Sequence, residues 1–292
     1  MIKSLDLFSG IGGFALGFHW AGIETAAFCE IELYPRKVLA KNFPNIPIHR
    51  DIKELNGYDY KGIDIVTGGF PCQPHSVAGQ RNASADARDL WGEMHRIICE
   101  AQPRWVVAEN VTGLLSSESG RYFGRVLRNL AEEGYCTQWF CIPASALGAW
   151  HKRERIWIVA NKRKVSDSNV PTERNEVLRK IEREKATGQA NRLARSNLSA
   201  RDGESLADSN CNRLQARWVA ERIQSKLTQF GIDSESNKFN PWETEPAVGR
   251  VANGISSRVD RIKGLGNAVV PQIPYVIGKA IMEVEDETHC VL

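Results

Sequence analysis

The first 161 residues alternate between short apolar runs and longer stretches with apolar residues at helical spacing. This β-α-β alternation predicts a doubly wound, mostly parallel sheet with right-handed crossovers. The predicted strands are Lys3 to Phe8, Thr25 to Glu30, Ile63 to Thr67, Trp105 to Ala108, Gln138 to Pro143 and Arg155 to Ala160. The predicted helices are Gly12 to Ala21, Leu33 to Asn42, Asp89 to Glu100 and Tyr122 to Glu133. Ligands of such sheets bind beyond the carboxyl ends of the strands.

The composition predicts a chain of one or two folded domains without membrane segments. Its 292 residues are 42% hydrophobic, enough for one large domain or for one large and one small domain. No run of eighteen apolar residues predicts a transmembrane helix, and the N-terminus has no apolar signal core. The seven cysteines include no C-x-x-C pair, which is atypical of structural zinc sites and of disulfide scaffolds. We therefore expect a reducing compartment such as the cytoplasm.

The chain changes character after Asn161. Residues 162–240 carry 16 basic and 11 acidic side chains and few apolar ones. We expect much of this segment, 174–203 in particular, to be mobile without a polyanionic partner and to order on binding. Within it, helical spacing relates Leu214, Trp218, Ile223, Leu227 and Phe230. Order is predicted to return near Trp242, with an apolar helix from Ile273 to Met282 and a frayed acidic tail from Glu283.

The run Gly69-Phe70-Pro71-Cys72-Gln73-Pro74 follows the predicted strand Ile63 to Thr67. Cys72 is therefore expected at the rim of the sheet where chemistry takes place. A free cysteine is more often a buried structural thiol, so Cys72 alone leaves both interpretations open.

Two further groups of residues are predicted at the same rim. Phe8, Gly10 and Gly12 follow the first strand, where glycines allow close approach of a ligand to the backbone, and Glu30 ends the second strand, where an acid can hold a ribose. Asp51 could meet an adenine amine, although a surface acid is the simpler interpretation of either carboxylate. Glu109 directly follows the predicted strand Trp105 to Ala108, and Arg153 and Arg155 are expected on one face of the last strand.

Five segments in this order resemble the DNA cytosine-5 methyltransferase family, in particular its small phage or prophage members. The segments are Asp6 to Phe14, Gly69 to Pro74, Glu109 to Val111, Lys152 to Arg155 and Gly266 to Pro271.

The resemblance implies a Rossmann-like fold that uses S-adenosyl-L-methionine to methylate carbon 5 of cytosine in double-stranded DNA. Cys72 would attack carbon 6 of a flipped base. Glu109 would face ring nitrogen 3, with Arg155 donating to the carbonyl oxygen and Arg153 beside them in the catalytic set. No metal is implied. The cofactor pocket would comprise Phe8, Gly10, Gly12, Glu30, Asp51, Pro71, Asn267 and Val269.

The resemblance also divides the chain. Residues 1–161 and 249–292 would form the catalytic domain, and residues 162–248 a target-recognition region that is shorter than is usual in the family. The segment from Ser76 to Leu90 would be the loop that closes over the base. A monomer is expected, with a cognate restriction endonuclease as a functional partner and no membrane partner.

Three alternatives remain open from the sequence. The same chemistry could act on tRNA, although residues 162–292 lack the Cys-Phe-Thr signature of that branch. A catalytically silent DNA-binding homologue would not need Cys72, Glu109 and Arg155 together. A nicotinamide oxidoreductase would explain the glycines but not the Pro71-Cys72 pair.

Overall fold

A computed structural model describes residues 1–71, 89–149, 151–162, 221–223, 225–226 and 258–289. Cys72, most of the predicted closing loop and nearly all of the predicted recognition region, including 174–203, lie outside the described residues. Among the helices of the described part, none is long and apolar enough to cross a membrane.

The centre of the fold is a seven-stranded sheet with the order β3-β2-β1-β4-β5-β7-β6. The strands are β1 (Lys3–Leu7), β2 (Glu24–Cys29), β3 (Ile48–His49), β4 (Ile65–Gly68), β5 (Trp105–Val111), β6 (Tyr135–Pro143) and β7 (Glu154–Lys162). The first five pair in parallel, and β7 runs antiparallel to both of its neighbours. The mostly parallel α/β sheet predicted from the sequence is therefore confirmed.

Six α-helices have both ends within the described residues and accompany this sheet. They are α1 (Gly13–Ala21), α2 (Leu33–Asn42), α3 (Trp91–Ala101), α4 (Arg121–Glu132), α5 (Arg258–Asn267) and α6 (Gln272–His289). The four helices predicted in the first 161 residues are all present within one or two residues of their expected ends.

Successive side chains of the central strands serve opposite layers of the core. Val106 packs with Met94 of α3 and Val126 of α4, whereas Val107, the next residue, packs with Phe18 of α1 and Val276 of α6. Because side chains of a strand alternate between its faces, a strand buried on both sides is apolar at every position.

Helix α6 lies very close to α1. A β-carbon added to Gly13 would stand 2.4 Å from the carbonyl oxygen of Val269, and one added to Gly17 would stand 2.2 Å from that of Pro271. These glycines let the segment that leads into α6 rest directly on the first helix of the sheet domain.

The expectation of a frayed tail from Glu283 is wrong for the residues up to His289, which continue α6. Glu285 is buried and accepts a 2.7 Å hydrogen bond from the indole of Trp105, and Arg104 pairs with the same carboxylate. These partners balance the cost of burying the charge, so the helix stays ordered beyond its apolar part.

One residue of the predicted recognition region joins the core. Ile223 lies in a helical segment and is fully buried in the layer that contains Phe18 and Val276. The other four residues of its predicted apolar set lie outside the described residues.

Candidate active site

The turn after β1 adopts backbone conformations that few residues accept. Phe8, Gly10 and Gly12 have φ values of 52°, 54° and 91°. Gly12 caps α1, and a β-carbon there would meet the ring of Phe43 at 2.9 Å. The turn therefore presents bare backbone next to a helix N-terminus, an arrangement that suits close approach by a ligand.

Glu30 holds this turn against the end of β2. The side chain is buried, with one carboxylate oxygen accepting from the amide of Gly10 at 2.7 Å and the other from the amide of Glu32 at 2.8 Å. Each carboxylate oxygen has a further lone pair, so Glu30 can still accept hydrogen bonds from a ligand hydroxyl.

Asp51 and Asp6 add two carboxylates to the same region. Asp51 follows β3 and caps a turn through the amide of Lys53, 3.0 Å away. Asp6 is fully buried in β1 and accepts from the hydroxyl of Thr67 at 2.9 Å, while its second oxygen, Oδ2, has no hydrogen-bond partner among the residues that the structure describes. Burial, opposed by the Thr67 hydrogen bond and reinforced by the charge of Glu30, raises the pKa of Asp6 to about 7.

Asp6 was not among the site residues predicted from the sequence. An acid inside the first strand, directly before the glycine turn, was the available signal.

Glu109 and Arg155 meet where β5 and β7 run side by side. The guanidinium Nε of Arg155 lies 3.1 Å from Oε1 of Glu109, and both side chains are mostly buried. Burial raises the pKa of Glu109, and the charges of Arg155 and Arg153 oppose that shift. The sequence placed Glu109 after the strand, but β5 runs on to Val111, so the strand itself fixes the carboxylate.

The backbone that leads to Cys72 is tied to this pair. A β-carbon on Gly69 would stand 3.3 Å from Oε2 of Glu109, and the side-chain amide of Asn110 donates to the carbonyl of Phe70 at 2.8 Å. Pro71, the last described residue before Cys72, is exposed. Asn110 lies inside the motif Glu109 to Val111, but the sequence predicts no role for it. In the structure it is buried and supports the Phe70-Pro71 segment.

Arg153 takes a different position from the one predicted. It precedes β7 with a φ of 27°, so it does not continue the alternation that would have placed it beside Arg155 on the strand. Its guanidinium donates to the carbonyl of Gly266 at 2.6 Å and to that of Ala268 at 2.8 Å. It thus fastens the segment between α5 and α6 to the start of β7.

A cavity of about 350 Å³ lies between the start of α1, the residues that precede β7 and the segment that joins α5 to α6. The turn residues Gly12 and Gly13, the guanidinium-bearing Arg153 and the backbone around Val269 line it. Asn267, the last residue of α5, is exposed nearby in the chain. Of the cofactor residues predicted from the sequence, Gly12 and Val269 therefore line this cavity. Glu30 lies at the end of β2, and Asp51 lies beyond the end of β3.

The arrangement combines a ligand cradle with a buried carboxylate–guanidinium pair beside the approach to a cysteine. The doubly wound sheet with an antiparallel β7, together with the glycine turn bonded to Glu30, defines an α/β fold of the S-adenosylmethionine-dependent methyltransferase type. Residues 2–253 match the family described as C-5 cytosine-specific DNA methylase, and the chain belongs to this family.

Individual relatives agree with this assignment. The chain is 30% identical to the Type II methyltransferase M1.ScrFI of Lactococcus lactis subsp. cremoris, over 98% of this chain and 79% of the relative. It is 37% identical to the Type II methyltransferase M.NgoMIV of Neisseria gonorrhoeae over 161 residues, which are 54% of this chain and span about half, 51%, of that relative. A solved structure described as a DNA modification methyltransferase encoded within an E. coli prophage is 27% identical, with a TM-score of 0.50 over 59% of this chain and 50% of that one.

Proposed function

We propose that this chain methylates carbon 5 of cytosine in double-stranded DNA, with S-adenosyl-L-methionine as methyl donor and Cys72 as nucleophile. The observation that carries the proposal is the buried pair of Glu109 and Arg155 beside the Gly69-Phe70 backbone, three residues or fewer before Cys72. Membership of the cytosine-5 family supplies the reaction class.

The residues at the ends of β1 to β3 fit the cofactor. Glu30 has lone pairs free for the two ribose hydroxyls, and Asp51 stands beyond the next strand, where it can accept from an adenine amine. Phe8 offers a half-buried ring for the adenine face. Ile31, directly after Glu30, is 61% exposed and offers an apolar contact that the sequence did not single out.

The remaining predicted cofactor residues would close the pocket. Gly10 and Gly12 allow close backbone approach, Val269 lines the cavity with Gly12, and Pro71 and Asn267 are exposed and would contribute to the rim of the pocket. When bound, the cofactor supplies an electrophilic methyl group carried on a sulfonium.

The protein's own part is to activate cytosine. The thiolate of Cys72 would form a bond to carbon 6, which turns the ring into an enamine whose carbon 5 is nucleophilic. Carbon 5 would then form a bond to the methyl group, whose bond to sulfur breaks. Loss of the carbon 5 proton to a base and expulsion of the thiolate would restore the aromatic ring and the free enzyme. Because a duplex hides carbon 6, the base must leave the stack at a cost of a few kcal/mol.

Glu109 would stabilise the charge that develops at ring nitrogen 3. Burial raises its pKa, which favours a protonated carboxyl able to donate a hydrogen bond to that nitrogen. Arg155 holds the carboxyl through its Nε and keeps other N–H groups for the cytosine carbonyl oxygen. Arg153, predicted as catalytic, is proposed instead as a positioning residue, because its guanidinium binds backbone carbonyls.

The biological setting remains a proposal. We propose that the enzyme acts as a monomer on DNA in a bacterial or phage-infected cytoplasm, alongside a cognate restriction endonuclease. Residues 162–248 would select the target, and residues 1–161 with 249–292 would form the catalytic domain.

A covalent trap tests the proposal directly. A duplex with 5-fluorocytosine at the target should form a stable protein–DNA adduct with the wild-type chain, because fluorine cannot leave as a proton does. Cys72→Ala should abolish the adduct, whereas Cys141→Ala, a change of an exposed cysteine on β6, should retain it. The target itself is found by mapping 5-methylcytosine in the DNA of a methylation-free host that expresses the chain.

An adduct on tRNA but not on DNA would support the RNA alternative, and retained activity in Cys72→Ala would refute the mechanism. Absence of methylation on both substrates would favour the silent homologue.

A further inference from the structure

Three potential metal ligands meet where the end of α3 faces the turn between α4 and β6. His95 and Cys99 stand one turn apart on α3, and Glu133 directly follows α4. One donor atom from each lies within 4.8 Å of the others, and all three side chains are partly exposed. An ion could therefore reach them from solvent.

This cluster is separate from the proposed active site. Helix α3 returns the chain to the start of β5 at Trp105, so its last turns lie toward the amino ends of the parallel strands. The proposed cofactor residues lie at the opposite, carboxyl ends. The inference that follows does not depend on the proposed function.

The distance between the donor atoms of His95 and Cys99 suits a tetrahedral ion. Sγ of Cys99 lies 3.5 Å from Nε2 of His95. Zinc bonds of about 2.3 Å to sulfur and 2.0–2.1 Å to nitrogen place these two donor atoms roughly 3.6 Å apart at the tetrahedral angle. A carboxylate oxygen of Glu133 lies within 4.8 Å of the donor atoms of both His95 and Cys99, so it can reach the same ion after a small side-chain movement.

Neighbouring side chains orient the ligands. The amide of Gln102 donates to Oε2 of Glu133 at 3.2 Å and accepts in turn from Lys162. The ring of Trp91 stacks on that of His95 with centroids 6.1 Å apart and an interplanar angle of 23°. Such outer contacts fix the direction of imidazole and carboxylate ligands in metal sites.

We propose that His95, Cys99 and Glu133 bind a divalent cation of the zinc type, with water completing the coordination. Sulfur, nitrogen and oxygen donors together suit zinc and disfavour magnesium, which requires oxygen ligands. The ion replaces the thiol proton of Cys99, which passes to solvent. It joins the end of α3 to the turn after α4. Sequence spacing gives no sign of the site because Glu133 belongs to another element.

The test uses the full chain carrying Cys72→Ala, which removes one competing thiol, after treatment with a chelator. Titration with Co²⁺ should show one equivalent bound, with a near-ultraviolet thiolate-to-cobalt absorption that Zn²⁺ abolishes and Mg²⁺ does not. Zn²⁺ at a hundredfold excess over its Kd should raise Tm by roughly 5 °C.

Variants assign the absorption to the cluster. Cys99→Ser should remove the cobalt absorption and weaken zinc binding at least roughly tenfold, and Glu133→Gln should weaken it while retaining the thiolate absorption. Cys141→Ser changes an exposed cysteine on β6, and its cobalt absorption and zinc affinity should equal those of the Cys72→Ala chain. The Tm of each metal-free variant shows whether it is folded. If Cys99→Ser does not fold, the zinc affinity of Glu133→Gln decides whether the cluster binds the ion.

Two results would overturn the proposal. One is the absence of a thiolate–cobalt absorption in the parent chain. The other is an absorption and a zinc Kd that stay the same in Cys99→Ser and Glu133→Gln.

Discussion

The guanidinium of Arg153 donates a 2.8 Å hydrogen bond to the backbone carbonyl of Ala268, 115 residues further along the chain. A second bond reaches the carbonyl of Gly266. The segment that these bonds hold lines the cavity beside the glycine turn, and Arg155, two residues after Arg153, lies on β7. The short stretch at the start of β7 therefore carries a contact for the proposed base pocket and, directly before the strand, the fastening of the proposed cofactor pocket.

Replacing Arg153 with methionine should weaken cofactor binding without removing Arg155 from Glu109. Two hydrogen bonds from a charged donor are lost, and each contributes roughly 1.5–3 kcal/mol, so we expect at least about a tenfold rise in the Kd for S-adenosylmethionine. Isothermal calorimetry measures this Kd. Lys152→Met, a change of the exposed neighbour, is the matched control and should leave it within about twofold. Equal Kd values for the two variants would contradict the fastening role.

Replacing Glu30 with glutamine should loosen the turn after β1 as well as weaken the ribose contact. The amide can accept from only one of the two backbone N–H groups that the carboxylate now binds. We expect a loss of roughly 1.5–3 kcal/mol in cofactor binding, about 10- to 100-fold in Kd. Glu24→Gln at the exposed start of the same strand serves as the control. An unchanged Kd in calorimetry would exclude Glu30 from the site.

Asp6 should make the stability of the protein depend on pH. Burial, more than the charge of Glu30, raises its pKa from 3.8 to about 7. For a raised pKa, the contribution to stability is complete below about pH 4 and is lost as the pH rises towards 7. Relative to Asp6→Asn, the wild type should therefore lose up to roughly 4 kcal/mol between these values. Urea unfolding of both proteins at several pH values measures the difference, and a constant difference would refute the shift.

Gly17→Ala should destabilise the contact between α1 and α6. The new β-carbon would stand 2.2 Å from the carbonyl oxygen of Pro271, so the helices must separate at a cost of about 1–3 kcal/mol. Gly92→Ala in α3, where an added β-carbon would meet no other part of the described chain within 4 Å, should instead stabilise by about 0.5–1 kcal/mol. Denaturant unfolding should give opposite signs for the two variants. A change in unfolding free energy of the same sign in both variants would show that the close approach of α1 and α6 does not restrict the side chain at position 17.

Much of the fold was predictable because its central strands are short, apolar and separated by helices with clear periodicity. Helix α2 was predicted at its observed ends, and Pro44 explains why a helix ends before it. The two-residue β3 was missed, since so short a strand has no periodicity of its own. The antiparallel direction of β7 was also not predicted, because strand direction depends on the path of the connections.

The candidate site likewise has a part that the sequence predicts and a part that only the tertiary structure reveals. The sequence by itself determined which residues match the motifs of the family, among them Cys72, Glu109 and Glu30, because residue type and order along the chain suffice to match a motif. Only the tertiary structure decided that Arg153 holds the α5–α6 segment, that Glu285 is a buried anchor and that His95, Cys99 and Glu133 meet. These relationships join residues far apart in sequence, and their distances depend on how helices pack against the sheet.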